Sequence, residues 1–326
     1  MPNTEILCVG EVLWDALPAG LFLGGAPFNV ACHLSAAGVP VTMVSRVGVD
    51  RLGEEALRRA ARFGVGTDLV QVDATLPTGF VRATIDDAGH ALYEIIEPVA
   101  WDAIEPTDTL LARAANARAI VFGSLAQRQP TTRATIEQLW KASSEALMVF
   151  DLNLRPPFED REIIRRSLQH ADVVKVTHQE LQRLASWFDL PEGDDRASAI
   201  ALEKAYSCPV VCVTRGKDGA ALLRDGKWTE HPGFEVEVRD TVGAGDAFLA
   251  VLLAGLLAGR QSAEVLQNAN LIGAYVATQF GAVPVDQYAA SAPAQLSASR
   301  GSAQPQPAPA RAKPARAGKK HPRSGK

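Results

Sequence analysis

Seven residues, Asp240-Thr241-Val242-Gly243-Ala244-Gly245-Asp246, run directly into an apolar helical stretch from Ala247 to Leu257. Glycines at 243 and 245 let successive backbone N–H groups point into one concavity at a helix start, where the positive end of the helix dipole adds to their effect. Such a concavity binds anions. Asp246 falls in the first turn, where a carboxylate could take the proton of a hydroxyl while the neighbouring amides stabilise charge on a phosphoryl group in transfer. A plainer reading is open, with Asp246 as a helix cap and the glycines as a turn. For an isolated Gly-x-Gly-Asp the plainer reading is favoured.

Other residues bear on the choice. The chain has no Gly-x-x-x-x-Gly-Lys-Ser/Thr loop and no Gly-x-Gly-x-x-Gly after its first strand. Instead Gly24-Gly25-Ala-Pro-Phe-Asn29 precedes the first helix, and Asp15 closes Gly10-Glu-Val-Leu-Trp-Asp15 just after the first strand. Two glycines permit close backbone approach by a ligand. Asn29 offers a donor and an acceptor, and Asp15 a carboxylate, which together suit the hydroxyls of a polyol. Capping is the alternative for each.

These residues need a scaffold. Apolar strand-like runs at 6–10, 41–47, 119–122, 147–151, 173–176 and 210–214 alternate with helical patterns at 27–37, 52–62, 131–143, 160–169, 179–187 and 194–205. That alternation predicts an α/β fold: a doubly wound, mostly parallel sheet with helices on both faces. Ligands of such sheets bind beyond the carboxyl ends of the strands. One interval breaks the rhythm. Segments 78–85 and 90–96, joined by Asp86-Asp-Ala-Gly89, read as a hairpin that is either a lid or an edge ornament.

Composition narrows the function classes. The chain has 326 residues and a formal charge of −4. Positions 300–326 carry eight Lys or Arg and no acid, so the remainder holds 25 positive against 37 negative charges, about −12. An acidic body argues against a nucleic-acid-binding domain. Residues 1–290 read as one folded domain, and the Ala-, Pro- and Lys-rich stretch 291–326 as a disordered basic tail. The longest apolar run, Ala247 to Gly259, is too short to suggest a membrane span. No secretory signal is visible, and four cysteines suit a reducing, cytoplasmic compartment. Cys208 and Cys212 fall an even number apart in a strand-like run, so they share a face there; without companion ligands they read as buried thiols.

Taken together, Gly24–Asn29 and Asp240–Asp246 resemble the two signature regions of the ribokinase-like (PfkB) carbohydrate kinases. Between them, Val47-Gly-Val-Asp-Arg-Leu-Gly53, Asp151-Leu-Asn-Leu-Arg155, Val213-Thr-Arg-Gly216-Lys-Asp-Gly219 and Ala269-Asn270 match further family segments in order. The resemblance spans about residues 4–285. It implies an ATP-dependent kinase of a small sugar, with a small β-strand lid from segments 12–24 and 78–96. Position by position, it implies Asp246 as catalytic base with Gly243, Ala244 and Gly245 as anion hole. Asp15, Gly25 and Asn29 would hold sugar hydroxyls, with Tyr93 on the lid hairpin, Arg155, and Arg128 after Gly123-Ser124 as candidate contacts. Thr214, Gly216, Gly219 and Asn270 would line ATP. Mg²⁺ would bridge the phosphates with Glu180 ordering its water, and a monovalent cation such as K⁺ would sit near Asp240. One departure stands out: Thr177-His-Gln-Glu180 replaces the family's Asn-x-x-Glu, which puts local metal or phosphate geometry in question. His178 reads as a surface residue at a helix start.

Several stretches, including Gly10–Asp15, Gly24–Ala31, Pro77–Gly79 and Phe122–Leu125, look closest to fructokinases. Fructose is therefore the first substrate expected, with ribose and 2-keto-3-deoxygluconate next. A non-catalytic sugar or nucleotide sensor on the same fold is the rival of another class, and polyanion binding through the tail a third. The expected partners are the sugar and ATP, with no membrane and no specific nucleic acid; a homodimer is one assembly open to it.

Overall fold

The computed structural model of the chain describes residues 5–17, 20–85 and 91–284. A nine-stranded sheet runs through it in the order β13-β12-β11-β10-β9-β8-β1-β4-β5. Seven of its strands are parallel: β1 (Ile6–Val9), β4 (Val41–Gly48), β5 (Val70–Asp73), β8 (Ala119–Gly123), β9 (Leu147–Asp151), β10 (Val173–Thr177) and β11 (Val210–Thr214). The strands β12 (Ala220–Arg224) and β13 (Lys227–His231) extend it antiparallel.

Alternation along each strand sorts its side chains to two faces. Leu7, Val9, Ile120, Phe122, Phe150, Val174 and Val176 join one core cluster, with α3 (Asp108–Ala115), α4 (Pro130–Ala142), α5 (Arg161–His170), α6 (His178–Trp187) and α7 (Asp195–Tyr206). Ile6, Cys8, Met43, Val121, Val149 and Val173 join the other, beneath α1 (Ala26–Ala36), α2 (Arg51–Arg62), α8 (Ala244–Leu257) and α9 (Ser262–Ala277). Helix α8 is buried along almost its whole length between α1 and α9, in the core cluster that packs on the sheet. This is why the run after Asp246 is apolar all round rather than amphipathic.

A second sheet of four strands has the order β3-β2-β6-β7: β2 (Leu13–Leu17), β3 (Gly20–Gly24), β6 (Gly79–Ile85) and β7 (Ala91–Ile95). It joins the two segments expected to form a lid, while the Asp86–Gly89 turn lies outside the described residues. So does the whole of 291–326. No described helix is long and apolar enough to cross a membrane.

Two expectations are corrected. Cys208 and Cys212 do not share a strand face, because β11 starts only at Val210; Cys208 packs in one core cluster and Cys212 in the other. Both are free, buried thiols. Arg128 takes the packed alternative rather than that of an open substrate contact, with its side chain 3% exposed. Its enclosed guanidinium bonds both oxygens of Asp102 (2.7 and 2.8 Å) and lies over the rings of Trp101 and Phe158.

Candidate active site

The chain leaves β1 toward β4 and β5, then returns to β8 on the other side, so the winding direction switches between β1 and β8. Beyond the carboxyl ends of those strands a cleft is expected, and the singled-out residues gather there. Gly243 adopts φ 77°, ψ −9° at the start of α8, and a Cβ on it would come within 2.6 Å of Ala282. Only glycine fits. The amide of Ala244 turns to the Thr241 carbonyl at 3.3 Å. Gly245 and Asp246, next in the first turn, have no carbonyl of their own helix to bond.

The Asn29 side chain, from the first turns of α1, donates through Nδ2 to Asp246 Oδ2 at 2.8 Å. Burial pushes the Asp246 carboxyl up to about 6; the charge of Asp151 adds to this, while Lys175 and the Asn29 bond oppose it. On the sugar side, a Cβ at Gly24 would lie 3.0 Å from Asp15 Oδ2 and 3.9 Å from Asn29 Oδ1, so these two acceptors flank one point. Burial raises Asp15 to about 6, with Arg155 opposing. Gly25 carries the strained φ of 113° that brings the chain into α1. Arg155, exposed at the rim, electrostatically lowers the carboxyls of Asp15, Asp151 and Asp246. Tyr93 lies on β7 opposite Ala83, but its side chain is outside the described residues.

Lys175 was not anticipated. It faces Asp151 across adjacent strands, is 4% exposed, and bonds Asp151 Oδ1 at 2.9 Å. Its Nζ would be 3.3 Å from a Cβ on Gly245, which places the ammonium beneath the first turn of α8. Burial opposes its charge, but Asp151, Asp246 and Glu180 outweigh that and leave its pKa raised. A lysine alone in the apolar run Val173-Val-Lys-Val176 was the available signal, since a buried charge needs a partner.

Thr177, the departure from the family motif, caps its own helix. Thr177 Oγ1 accepts from the Glu180 amide at 3.2 Å, and Glu180 Oε2 accepts from the Thr177 amide at 2.8 Å, a reciprocal cap of α6. Glu180 Oε1 accepts from Leu154 N at 2.7 Å, fixing the loop that ends in Arg155. His178, as expected, is a half-exposed first helical residue, bonded to Asp195. Among the described residues no group of three or more His, Cys, Asp or Glu could hold a metal by itself. Magnesium carried by nucleotide phosphates and water needs only one or two carboxylates, and both Glu180 oxygens keep a lone pair. Asp240 bonds Val242 N (3.0 Å) and Gly281 N (3.1 Å), tying the signature loop to the segment after α9.

The nucleotide-side residues are less closely gathered. Thr214 ends β11, beside Thr177, and Gly216 and Gly219 bracket a turn of 3-10 helix with φ of 59° and 80°. Asn270, 7% exposed in α9, donates to the Leu266 carbonyl at 2.7 Å, and no hydrogen bond among the described residues joins it to that turn.

A family model described as pfkB family carbohydrate kinase matches residues 8–287. A fructokinase of Klebsiella pneumoniae is 31% identical over 271 residues, covering 78% of this chain and 85% of the relative. A solved fructokinase of Xylella fastidiosa with bound ATP superposes with TM-score 0.75 at 25% identity, over 86% of this chain and 94% of that one. The fold is also that of a Vibrio cholerae O395 fructokinase in fructose-, ADP- and calcium-bound form: TM-score 0.72, 23% identity, 87% of this chain and 96% of that one. The chain belongs to the pfkB family of carbohydrate kinases. It is an ATP-dependent sugar kinase resembling fructokinases.

Proposed function

We propose that the sugar is fructose and that Asp246 is the base that activates its primary hydroxyl. The carrying observation is the bond from Asn29 to Asp246, which turns one carboxyl oxygen to a sugar-side helix and leaves the other for the reacting hydroxyl. Asp15, Gly25 and Asn29 position the sugar, and Tyr93 and Arg155 are the further contacts of this reading. As the hydroxyl oxygen attacks the γ-phosphorus of ATP, Asp246 takes its proton and the leaving ADP carries away the electron pair. The amides of Gly243 and Gly245, that of Ala244 once it leaves its long bond to Thr241, and the Lys175 ammonium beneath them stabilise the charge on the transferring group.

Thr214, Gly216, Gly219 and Asn270 line the nucleotide. Mg²⁺, with Glu180 ordering its water, neutralises phosphate charge when bound. A K⁺ ion beside Asp240 is part of the same reading, checked by comparing rates in potassium and in a bulky organic cation. The kinase unit ends near residue 290 and works in the cytoplasm; a homodimer is the assembly that sedimentation would test for.

Coupled ADP release across a panel of sugars tests the substrate. Fructose should give the highest kcat/KM; preference for ribose or 2-keto-3-deoxygluconate by tenfold or more would reassign it, and binding without turnover would make the protein a sensor.

A further inference from the structure

Glu11, two residues beyond β1, is 3% exposed and none of the roles above uses it. Its carboxyl is held electrostatically by its own backbone N–H and, more weakly, by that of Ala26, the first residue of α1. The N-cap position of that helix is Gly25, which has no side chain to cap with, so Glu11 braces the helix from outside. The contact is close: a Cβ on Gly25 would lie 3.2 Å from Glu11 Cγ.

The second oxygen, Oε2, is enclosed and has no hydrogen-bond partner. Glu11 lines a cavity of water-molecule size at the switch between β1 and β8, with Pro27, Gly123, Ser124, Asp151 and Asn153 among its other walls. Asp151 Oδ2 is likewise enclosed and unpartnered, while the Ser124 hydroxyl is already given to the Leu152 carbonyl at 2.6 Å. An enclosed acceptor without a donor is costly, and one kept at a binding cleft points to a donor that arrives with the ligand. The chemistry wanted is a small hydrogen-bond donor.

We propose that Glu11 is a sugar-binding residue: one carboxyl oxygen holds the start of α1, and the other receives a single hydroxyl of the substrate in this cavity. The inference rests on the sugar-kinase assignment but not on which sugar is used. It gives the carboxyl a dual task, because the helix it braces carries Asn29 and hence orients Asp246. Burial raises the Glu11 carboxyl to about 7, with Arg155 opposing and Asp246 adding to the rise. Near neutrality the group can therefore accept from a hydroxyl or donate to it.

The test is a cycle of protein variants against deoxy analogues of the best sugar, read as kcat/KM. The unmodified protein should lose about 10- to 100-fold on removal of one particular hydroxyl, the range of a hydrogen bond to a charged group. Glu11→Ala should lose a similar factor on the parent sugar and show no further loss with that same analogue. Glu11→Gln keeps an acceptor for Ala26, and its thermal midpoint should stay near that of the unmodified protein. It carries the cycle if the alanine variant fails to fold, and its penalty at that analogue should shrink.

If both variants lose the same factor on every analogue, Glu11 only braces the helix, the cavity holds water, and the proposal is overturned. Failure of the unmodified protein to phosphorylate any sugar would instead overturn the assignment on which the proposal rests.

Discussion

The side-chain amide of Asn29 donates to Asp246 at 2.8 Å across 217 positions of sequence, joining the sugar-side helix to the signature loop. A carboxylate fixed on one oxygen presents the other in a defined direction. The same bond favours the charged form, against the burial that raises Asp246 to about 6.

Removing that bond should move the pH profile. With Asp246 as base, kcat/KM rises as pH rises through about 6, where the carboxyl loses its proton. Asn29→Ala should shift this acid limb upward by roughly 0.5–1 pH unit, since loss of a donor to the charged form disfavours it. Rates at saturating ATP from pH 5 to 8.5 check it; an unmoved limb would detach Asn29 from the base.

Stability should respond in the opposite sense to activity. The folded state binds the Asp246 proton more tightly than the unfolded chain, whose value is near 3.8. The resulting stabilisation is present below that value and is lost as pH rises through about 6. Asp246→Asn should therefore be more stable than the unmodified protein at pH 8, by roughly 1–2 kcal/mol, and gain nothing at pH 4. The full value of such a shift is discounted because the residue is not wholly enclosed. Urea unfolding at the two pH values measures the difference.

The Lys175–Asp151 pair should behave as a buried ion pair. Lys175→Met leaves Asp151 uncompensated and should cost about 3–5 kcal/mol. Adding Asp151→Asn should recover most of that stability and none of the activity, because the ammonium beneath the first turn of α8 is still missing. A double variant with near-normal turnover would confine the pair to a structural role.

Truncation after residue 290 should leave kcat/KM within about twofold, because the stretch removed is basic and too poor in large apolar residues to build part of a packed domain. A large loss would bring the basic stretch into the kinase unit.

The sequence made six of the seven parallel strands and most helices legible, because each is an apolar run or an amphipathic period bounded by turn residues; β5, the short Val-Gln-Val-Asp edge strand, is neither. It also marked Asp246, Asn29 and Asp15, since glycines and a polar residue beside a strand end are local signals. Less legible were features that depend on pairing across the sheet. The antiparallel strands β12 and β13 have short, mixed sequences that packing and register complete. Lys175 reads as a lone charge until Asp151 stands opposite it. Glu11 reads as part of a loop until α1 is seen to begin against it. Thr177 needed no structure: Thr-x-x-Glu before a helix is a capping box in the sequence itself.

The most direct test of the account is the turnover of Asp246→Asn with fructose and ATP, measured as ADP release beside nucleotide affinity by calorimetry. Loss of about 10²–10⁴-fold or more in kcat, with nucleotide affinity within a few-fold of the unmodified protein, is the predicted result. Turnover within tenfold of the unmodified protein would contradict it, and Asp246 would not be the base.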